Sequence, residues 1–294
     1  MTSTGGPPPI RRVGVVGCGL MGSGIAEICA RAALDVIVRE VDEEAVARGR
    51  SRLETSVGRA VSREKLTSDE ADSALSRLTF TTDLGDLADR QLIIEAVTES
   101  EPVKLDVFAT LDKVVADDTI LATNTSSLSI MKLAMATSRP DRVVGLHFFS
   151  PVPVLTLVEL IESLLSSEAA MAQVQAFAEE TLGKRVIRSK DRAGFIVNAL
   201  LIPYLVSAIR MLESGFATVE DIDTGMVLGC NHPMGPLALA DFIGLDTTMA
   251  AAQSLYDEFK EPLYSPPPLL TRMVEAGLLG RKTGRGFYSH DSPS

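Results

Sequence analysis

The chain has 294 residues, longer than one hydrophobic core usually holds, so two domains are expected. Hydrophobic residues make up 46% and charged residues 23%, which excludes a disordered or fibrous chain. A formal charge of −11 and the absence of Trp argue against nucleic acid as a partner, since that needs a basic footprint and stacking surfaces.

The opening MTSTGGPPPI lacks an apolar segment and reads as a flexible tail over residues 1–10, and no run approaches the roughly 18 apolar residues of a membrane span. Neither a secretory leader nor a membrane is expected. Cys18, Cys29 and Cys230 are odd in number and lack C-x-x-C spacing, so neither a disulfide framework nor a metal site is indicated, and a cytoplasmic location fits.

Residues 13–16 form an apolar strand running into Gly17-Cys18-Gly19-Leu20-Met21-Gly22 and then a helix over 21–32. In this strand-turn-helix context Gly17 permits the tight turn, Gly19 lets the backbone approach a pyrophosphate, and Gly22 lets helix and strand pack closely. Leu20 and Met21 complete the dinucleotide-binding loop. Residues 36–38 are the second strand, and Glu40 at its end is placed to bond the adenosine ribose, which favours NAD; Arg39 keeps NADP open, and Asp42 is a rival acid.

Residues 43–78 are helix-forming and too long for a simple crossover, so two helices projecting from the sheet are expected. Arg48, Arg50, Arg52, Arg59, Arg63 and Lys65 give them a basic lean that the whole chain lacks. Apolar strands follow at 92–96, 120–123 and 143–146, alternating with helical pattern, and 154–161 and 185–187 extend the sheet. Beyond a boundary near Asp191 the pattern is helical, with a long apolar helix over 195–212 interrupted by Pro203 and a connector over 262–268. The fold class is therefore α/β: a Rossmann-type, mostly parallel sheet with a helical-hairpin excursion over 1–190, followed by an all-α domain over 191–294.

Hydride transfer to or from an alcohol carbon needs a partner for the hydroxyl proton, and imidazole suits that task near neutral pH. Of three histidines, His290 is near the end and His232 in a turn, which leaves His147 at the carboxyl end of a strand. Glu159 lies in Leu155-Thr156-Leu157-Val158-Glu159-Leu160-Ile161, where both faces are apolar and a carboxylate demands a partner. A turn centred near Pro153 between antiparallel strands would make His147 and Glu159 cross-strand neighbours, so that the acid fixes the imidazole tautomer. Asn124-Thr125-Ser126-Ser127 sits at the same sheet edge and reads equally as active-site polar groups or as a helix cap. Asn198, on an apolar helix, either bonds nearby backbone or faces a cleft.

With these residues in hand the chain resembles the 3-hydroxyacyl-CoA dehydrogenase family, including its short-chain 3-hydroxybutyryl-CoA members. The resemblance runs nearly end to end, through GCGLMGSGIA, IIEAVTESEPVKLDVF, NTSSLSI, GLHFFSPVPVLTLVELI, DRAGFIVNALLIPYL, NHPMGPLALADFIGLD and KTGRGFY. It implies that His147 is the acid/base and Glu159 its orienting carboxylate, with Ser126 and Asn198 bonding the substrate oxygen or the thioester carbonyl. It further implies Glu99 and Lys104 beside the nicotinamide ribose and phosphates, Asn124 near the nicotinamide, and Ser56 and Arg63 against CoA. Ser150 stands where many members carry Asn. An acyl-CoA substrate, a homodimer formed through the helical domain and a place in fatty acid metabolism are implied likewise. The alternatives are a dehydrogenase of a free hydroxy or sugar acid, and a dinucleotide-binding protein without catalysis.

Overall fold

A computed structural model describes residues 9–290, and residues 1–8 of the tail expected over 1–10 lie outside them. The chain divides between Arg192 and Ala193 into two compact units. The first contains, in order, β1 (Arg12–Val16), α1 (Leu20–Arg31), β2 (Asp35–Arg39), α2 (Glu43–Ser62), α3 (Ser68–Leu75), β3 (Leu78–Thr81), β4 (Leu92–Glu95), α4 (Glu101–Val114), β5 (Ile120–Thr123), α5 (Ile130–Ala134), β6 (Val143–Phe148), β7 (Leu157–Glu162), α6 (Glu168–Ala176) and β8 (Arg185–Lys190).

The eight strands lie in the order β3-β2-β1-β4-β5-β6-β7-β8, and only β6 and β7 run antiparallel to each other. The central strands β4, β5 and β6 are buried along their whole length, which is why they read as continuous apolar runs instead of alternating ones. Chain order reverses at β1, whose neighbours are β2 and β4. Ligands of open α/β sheets bind at the carboxyl edge beside such a reversal.

Several sequence expectations need correction. Ile10, assigned to the tail, is 2% exposed and packs in the core ahead of β1, since an apolar side chain there gains from burial. The helices over 43–78 are α2 and α3, and Leu53, Val57, Ala71 and Ala74 bury them in the core shared with α1, so they lie on the domain and do not stand clear of it. Asp42 accepts the amide of Ala45 at 2.7 Å as the N-cap of α2, and Thr67 forms a capping box with Glu70 at the start of α3. The edge strand β3 was not foreseen. The strand expected over 154–161 begins only at Leu157, because the amides of Val154 and Leu155 bond the Pro151 carbonyl at 2.9 and 3.0 Å in a turn.

The second unit is helical: α7 (Val197–Glu213), α8 (Val219–Cys230), α9 (Pro236–Ile243), α10 (Leu245–Phe259) and α11 (Pro268–Glu275). Gly194 and Phe195 have φ of 74° and 46°, so the long helix starts two residues later than its apolar pattern. Pro268 opens α11 and is not part of the connector, as expected for a residue without an amide hydrogen. Leu205, Ile209, Leu237, Leu245 and Leu270 form the core. Two buried acids organise its polar interior: Asp223 accepts the amides of Leu237 and Ala238 at the start of α9, and Asp241 accepts those of Phe287 and Tyr288. Among the described residues no helix is long and apolar enough to cross a membrane.

Candidate active site

The glycine loop separates what the fold demands from what it leaves open. A Cβ on Gly17, whose φ is +91°, would lie 2.7 Å from the Ala96 carbonyl oxygen, and one on Gly22 would lie 1.9 Å from that of Gly17. Strand, loop and helix touch at those two positions. A Cβ on Gly19 would meet nothing within 4 Å, so packing does not require glycine there and the backbone is open at the N-terminus of α1. That open backbone fits a pyrophosphate. Leu20 beside it is 69% exposed and Met21 is half-buried.

Glu40 stands at the end of β2 with Oε1 accepting the Cys18 amide at 2.5 Å and Oε2 the Val41 amide at 3.1 Å. The carboxylate is thereby fixed against the loop. Arg39, the residue that kept a 2′-phosphate open, donates from Nε to the Thr82 carbonyl at 3.2 Å. The Cys18 thiol is pushed up to about 12 by burial and by the Glu40 charge, so it serves as a small protonated filler.

On the antiparallel pair β6 and β7, His147 faces Glu159 in register. His147 Nδ1 and Glu159 Oε2 are 2.8 Å apart, the carboxylate is fully buried, and the imidazole is 7% exposed. The Phe149 ring packs on the imidazole at a centroid distance of 4.6 Å. One residue beyond His147, the Phe148 amide donates to Asn124 Oδ1 at 2.8 Å, which ties the end of β6 to the loop after β5.

The cap of α5 is Ser129 assisted by Asp191, whose carboxylate accepts the amides of Ile130 and Met131. Asn124 to Ser127 are therefore not that cap. Thr125 to Ser127 wrap around Glu99, whose Oε1 accepts the Thr125 hydroxyl, the Ser126 amide at 3.0 Å and the Ser127 hydroxyl at 3.1 Å. Burial pushes the Glu99 carboxyl up, but Lys104 and these bonds outweigh it and hold its pKa below the usual 4.5.

Lys104 is 1% exposed, and its Nζ lies 2.6 Å from Glu95 Oε1 and 3.3 Å from Glu99 Oε2. Its reach toward a ligand thus runs through Glu99. Glu95, which the sequence reading missed, is fully buried at the end of β4 and also accepts the Val97 amide and the Thr123 hydroxyl, both at 2.7 Å. An acid closing the apolar run Leu92-Ile93-Ile94 was the available signal.

A cavity of about 370 Å³ opens between α1, α2 and the turn after β6. Ser56 and Arg63 line it, as do Arg31, Arg59, Lys65 and Ser150. The rest of the basic stretch is engaged elsewhere: Arg48 pairs with Glu44, Arg50 stacks 4.4 Å over the Phe80 ring, and Arg52, also at the cavity, bonds the Cys18 carbonyl at 2.8 Å. Arg31, from the end of α1, had no local sequence signal. Asn198 belongs to the second unit, half-buried in the first turn of α7.

A hydride-transferring dehydrogenase requires a dinucleotide cradle and a proton-exchanging side chain on one sheet edge, and the first unit carries an open glycine loop and a carboxylate-paired imidazole on such an edge. Matches to known proteins narrow that class. Residues 12–192 match the family model for the NAD binding domain of 3-hydroxyacyl-CoA dehydrogenase, and residues 194–290 match that for its C-terminal domain. The chain is 61% identical to a 3-hydroxybutyryl-CoA dehydrogenase of Mycobacterium tuberculosis over 96% of its own length and 99% of the relative's. The crystal structure of M. tuberculosis FadB2 superposes with a TM-score of 0.95 at 60% identity, covering 96% of this chain and all of that one. For (S)-3-hydroxybutyryl-CoA dehydrogenase PaaH1 of Ralstonia eutropha the TM-score is 0.92 at 47% identity, with 96% and 100% covered. The chain belongs to the 3-hydroxyacyl-CoA dehydrogenase family and is an oxidoreductase that uses a nicotinamide dinucleotide.

Proposed function

We propose that the chain reversibly oxidises an (S)-3-hydroxyacyl-CoA to the 3-ketoacyl-CoA, with 3-hydroxybutyryl-CoA and acetoacetyl-CoA as the short-chain pair. The observation that carries this reading is the 2.8 Å contact between His147 Nδ1 and the buried Glu159 carboxylate, on the edge that also bears the glycine loop. A nicotinamide dinucleotide held by the glycine loop and Glu40 would supply the hydride acceptor for C3, or the hydride donor in reverse.

His147, oriented through Nδ1, takes the hydroxyl proton at Nε2, and Glu159 stabilises the imidazolium that results. In reverse, the same nitrogen returns the proton to the carbonyl oxygen. Ser126 polarises that oxygen or the thioester carbonyl by hydrogen bonding. Gly17, Gly19, Leu20, Met21 and Gly22 hold the pyrophosphate, and Asn124 and Glu99 border the nicotinamide end. Lys104 supports that end through Glu99.

NAD is the cofactor in this reading, because the Glu40 carboxylate repels a 2′-phosphate and Arg39 is turned to the Thr82 carbonyl. Ser56 and Arg63 bind the CoA end, where the cluster of arginines and a lysine around the cavity attracts phosphate. This basic cavity favours an acyl-CoA over a free hydroxy acid. The enzyme is a cytoplasmic homodimer of fatty acid or butanoate metabolism, paired through the helical unit that exposes Leu200, Phe216 and Leu228.

The test is consumption of reduced cofactor at 340 nm with acetoacetyl-CoA and longer 3-ketoacyl-CoAs, NADH against NADPH. Turnover with NADH and CoA thioesters is expected. Equal turnover of free 3-keto acids refutes the substrate class, and preference for NADPH refutes the cofactor choice.

A further inference from the structure

The polar interior under the carboxyl edge holds more negative than positive charge. Glu95 is fully buried and Lys104 is 1% exposed, while the Glu99 side chain is 38% exposed and turned toward the loop after β5. One ammonium is shared by two carboxylates, at 2.6 and 3.3 Å, so acidic side chains outnumber basic ones two to one in the cluster. The nearest charges on α4 and α5 do not change that balance, since Glu101 and Lys132 pair with each other at 2.8 Å.

Every carboxylate oxygen in this cluster is engaged by the fold. Glu95 bridges β4, β5 and α4 through the Val97 amide, the Thr123 hydroxyl and Lys104. Glu99 gathers Thr125, Ser126 and Ser127 on one oxygen and Lys104 on the other. A buried pair of one carboxylate and one ammonium would hold the same helix to the same strands. Glu99, the second carboxylate, holds the loop after β5 and brings a further acidic group to the same ammonium.

We infer that Glu95, Lys104 and Glu99 form a charge relay that selects the oxidised, cationic nicotinamide over the reduced, neutral one, with Glu95 as its buried positioning residue. The segment Ala96-Val97 that follows Glu95 lies against Gly17, so a dinucleotide with its pyrophosphate at Gly19 and its adenosine at Glu40 carries its other end across β4 and β5. The loop that Glu99 holds would border the ring there. A fixed negative charge stabilises a cationic ring and is indifferent to a neutral one, the more so where burial limits screening. Tighter binding of the oxidised form also draws the equilibrium on the enzyme toward the hydroxyacyl side. The inference rests on the functional reading above, which seats the nicotinamide at Asn124 and Ser126.

Separate calorimetric titrations of the whole chain with NAD+ and with NADH, at low ionic strength, test it. Glu95→Gln and Glu99→Gln each leave one carboxylate for one ammonium, and each should weaken NAD+ about 10-fold more than it weakens NADH. Equal weakening of both forms, or no change in either, overturns the relay and leaves the dehydrogenase assignment standing. A wild-type chain that binds neither form overturns that assignment and the relay together. Should Glu95→Gln fail to fold, the half-exposed Glu99→Gln carries the same comparison alone.

Discussion

Replacing Glu159 by glutamine preserves its volume and removes one charge, which makes it the sharpest test of how His147 works. The carboxylate is fully buried with Oε2 2.8 Å from Nδ1, so no solvent screens the pair. When a proton arrives at Nε2, a positive charge forms on a ring whose centre is roughly 4–5 Å from the carboxylate, worth about 3–4 kcal/mol at an effective dielectric of about 20. A neutral amide keeps part of that through its own dipole. It can also present its NH2 to Nδ1, which would hold the ring in the wrong tautomer. A net loss of ~2–3 kcal/mol in the transition state corresponds to a fall in kcat of about 30- to 150-fold. The assay is steady-state oxidation of NADH at 340 nm with acetoacetyl-CoA, accompanied by NADH affinity and the melting temperature to confirm folding. A lower kcat with cofactor affinity within about 2-fold is expected, because the substitution acts on a state reached only during proton transfer. If kcat is preserved and only KM rises, the pair is a structural cross-strand contact and Glu159 does not assist proton transfer at the imidazole.

Gly19→Ala should leave the melting temperature unchanged, since its φ of −67° suits any residue and the Cβ meets open space, yet weaken NAD+ binding about 10-fold; unaltered binding would remove the loop from the cofactor site. Gly22→Ala should instead lower the melting temperature by several degrees, because its Cβ would lie 1.9 Å from a backbone oxygen. Arg63→Glu should raise KM for acetoacetyl-CoA at least about 5-fold at low salt and less at high salt, and an unchanged KM would take it out of the CoA site. Asp112→Asn probes pH. Burial pushes the Asp112 carboxyl up, but bonds from Ser138 and Arg139 outweigh it and hold the group below its usual 3.8. With the folded value depressed, the stabilisation is fully present above pH 3.8 and is lost as pH falls through that lower value. The substitution should therefore cost about 1–3 kcal/mol by urea denaturation at pH 7 and less at pH 3, whereas a constant gap would show that the charge contributes nothing.

What the sequence disclosed was periodic or local. Strands buried on both faces announce themselves as apolar runs, and the glycine spacing is a pattern confined to six residues. The pairing of His147 with Glu159 was legible because a side-chain period of 2 and a turn symmetric about Pro153 leave one register in which the buried acid meets a partner. The same logic applied to Glu95, an acid closing an apolar strand, and would have found it. The start of β7 was misjudged for a different reason: Lys184 donates to the Val152 and Leu155 carbonyls at 2.7 and 2.6 Å and stabilises a turn in residues whose composition suits a strand.

The remaining site residues were opaque because their partners are distant in the chain. Thr125 and Ser126 owe their arrangement to Glu99, 26 and 27 positions earlier, and Asn124 owes its orientation to the Phe148 amide, 24 positions later. Asp42 resolves in the opposite sense, since a contact only three residues away makes it a helix cap and leaves Glu40 as the acid at the glycine loop. A buried polar group needs a partner, and the sequence reveals that need wherever the surrounding pattern is apolar. It reveals the partner only when the connection is short or symmetric. Glu159 met both conditions and the hydroxyls around Glu99 met neither, which is why the contact of His147 with Glu159 could be read from residues and the arrangement around Glu99 required coordinates.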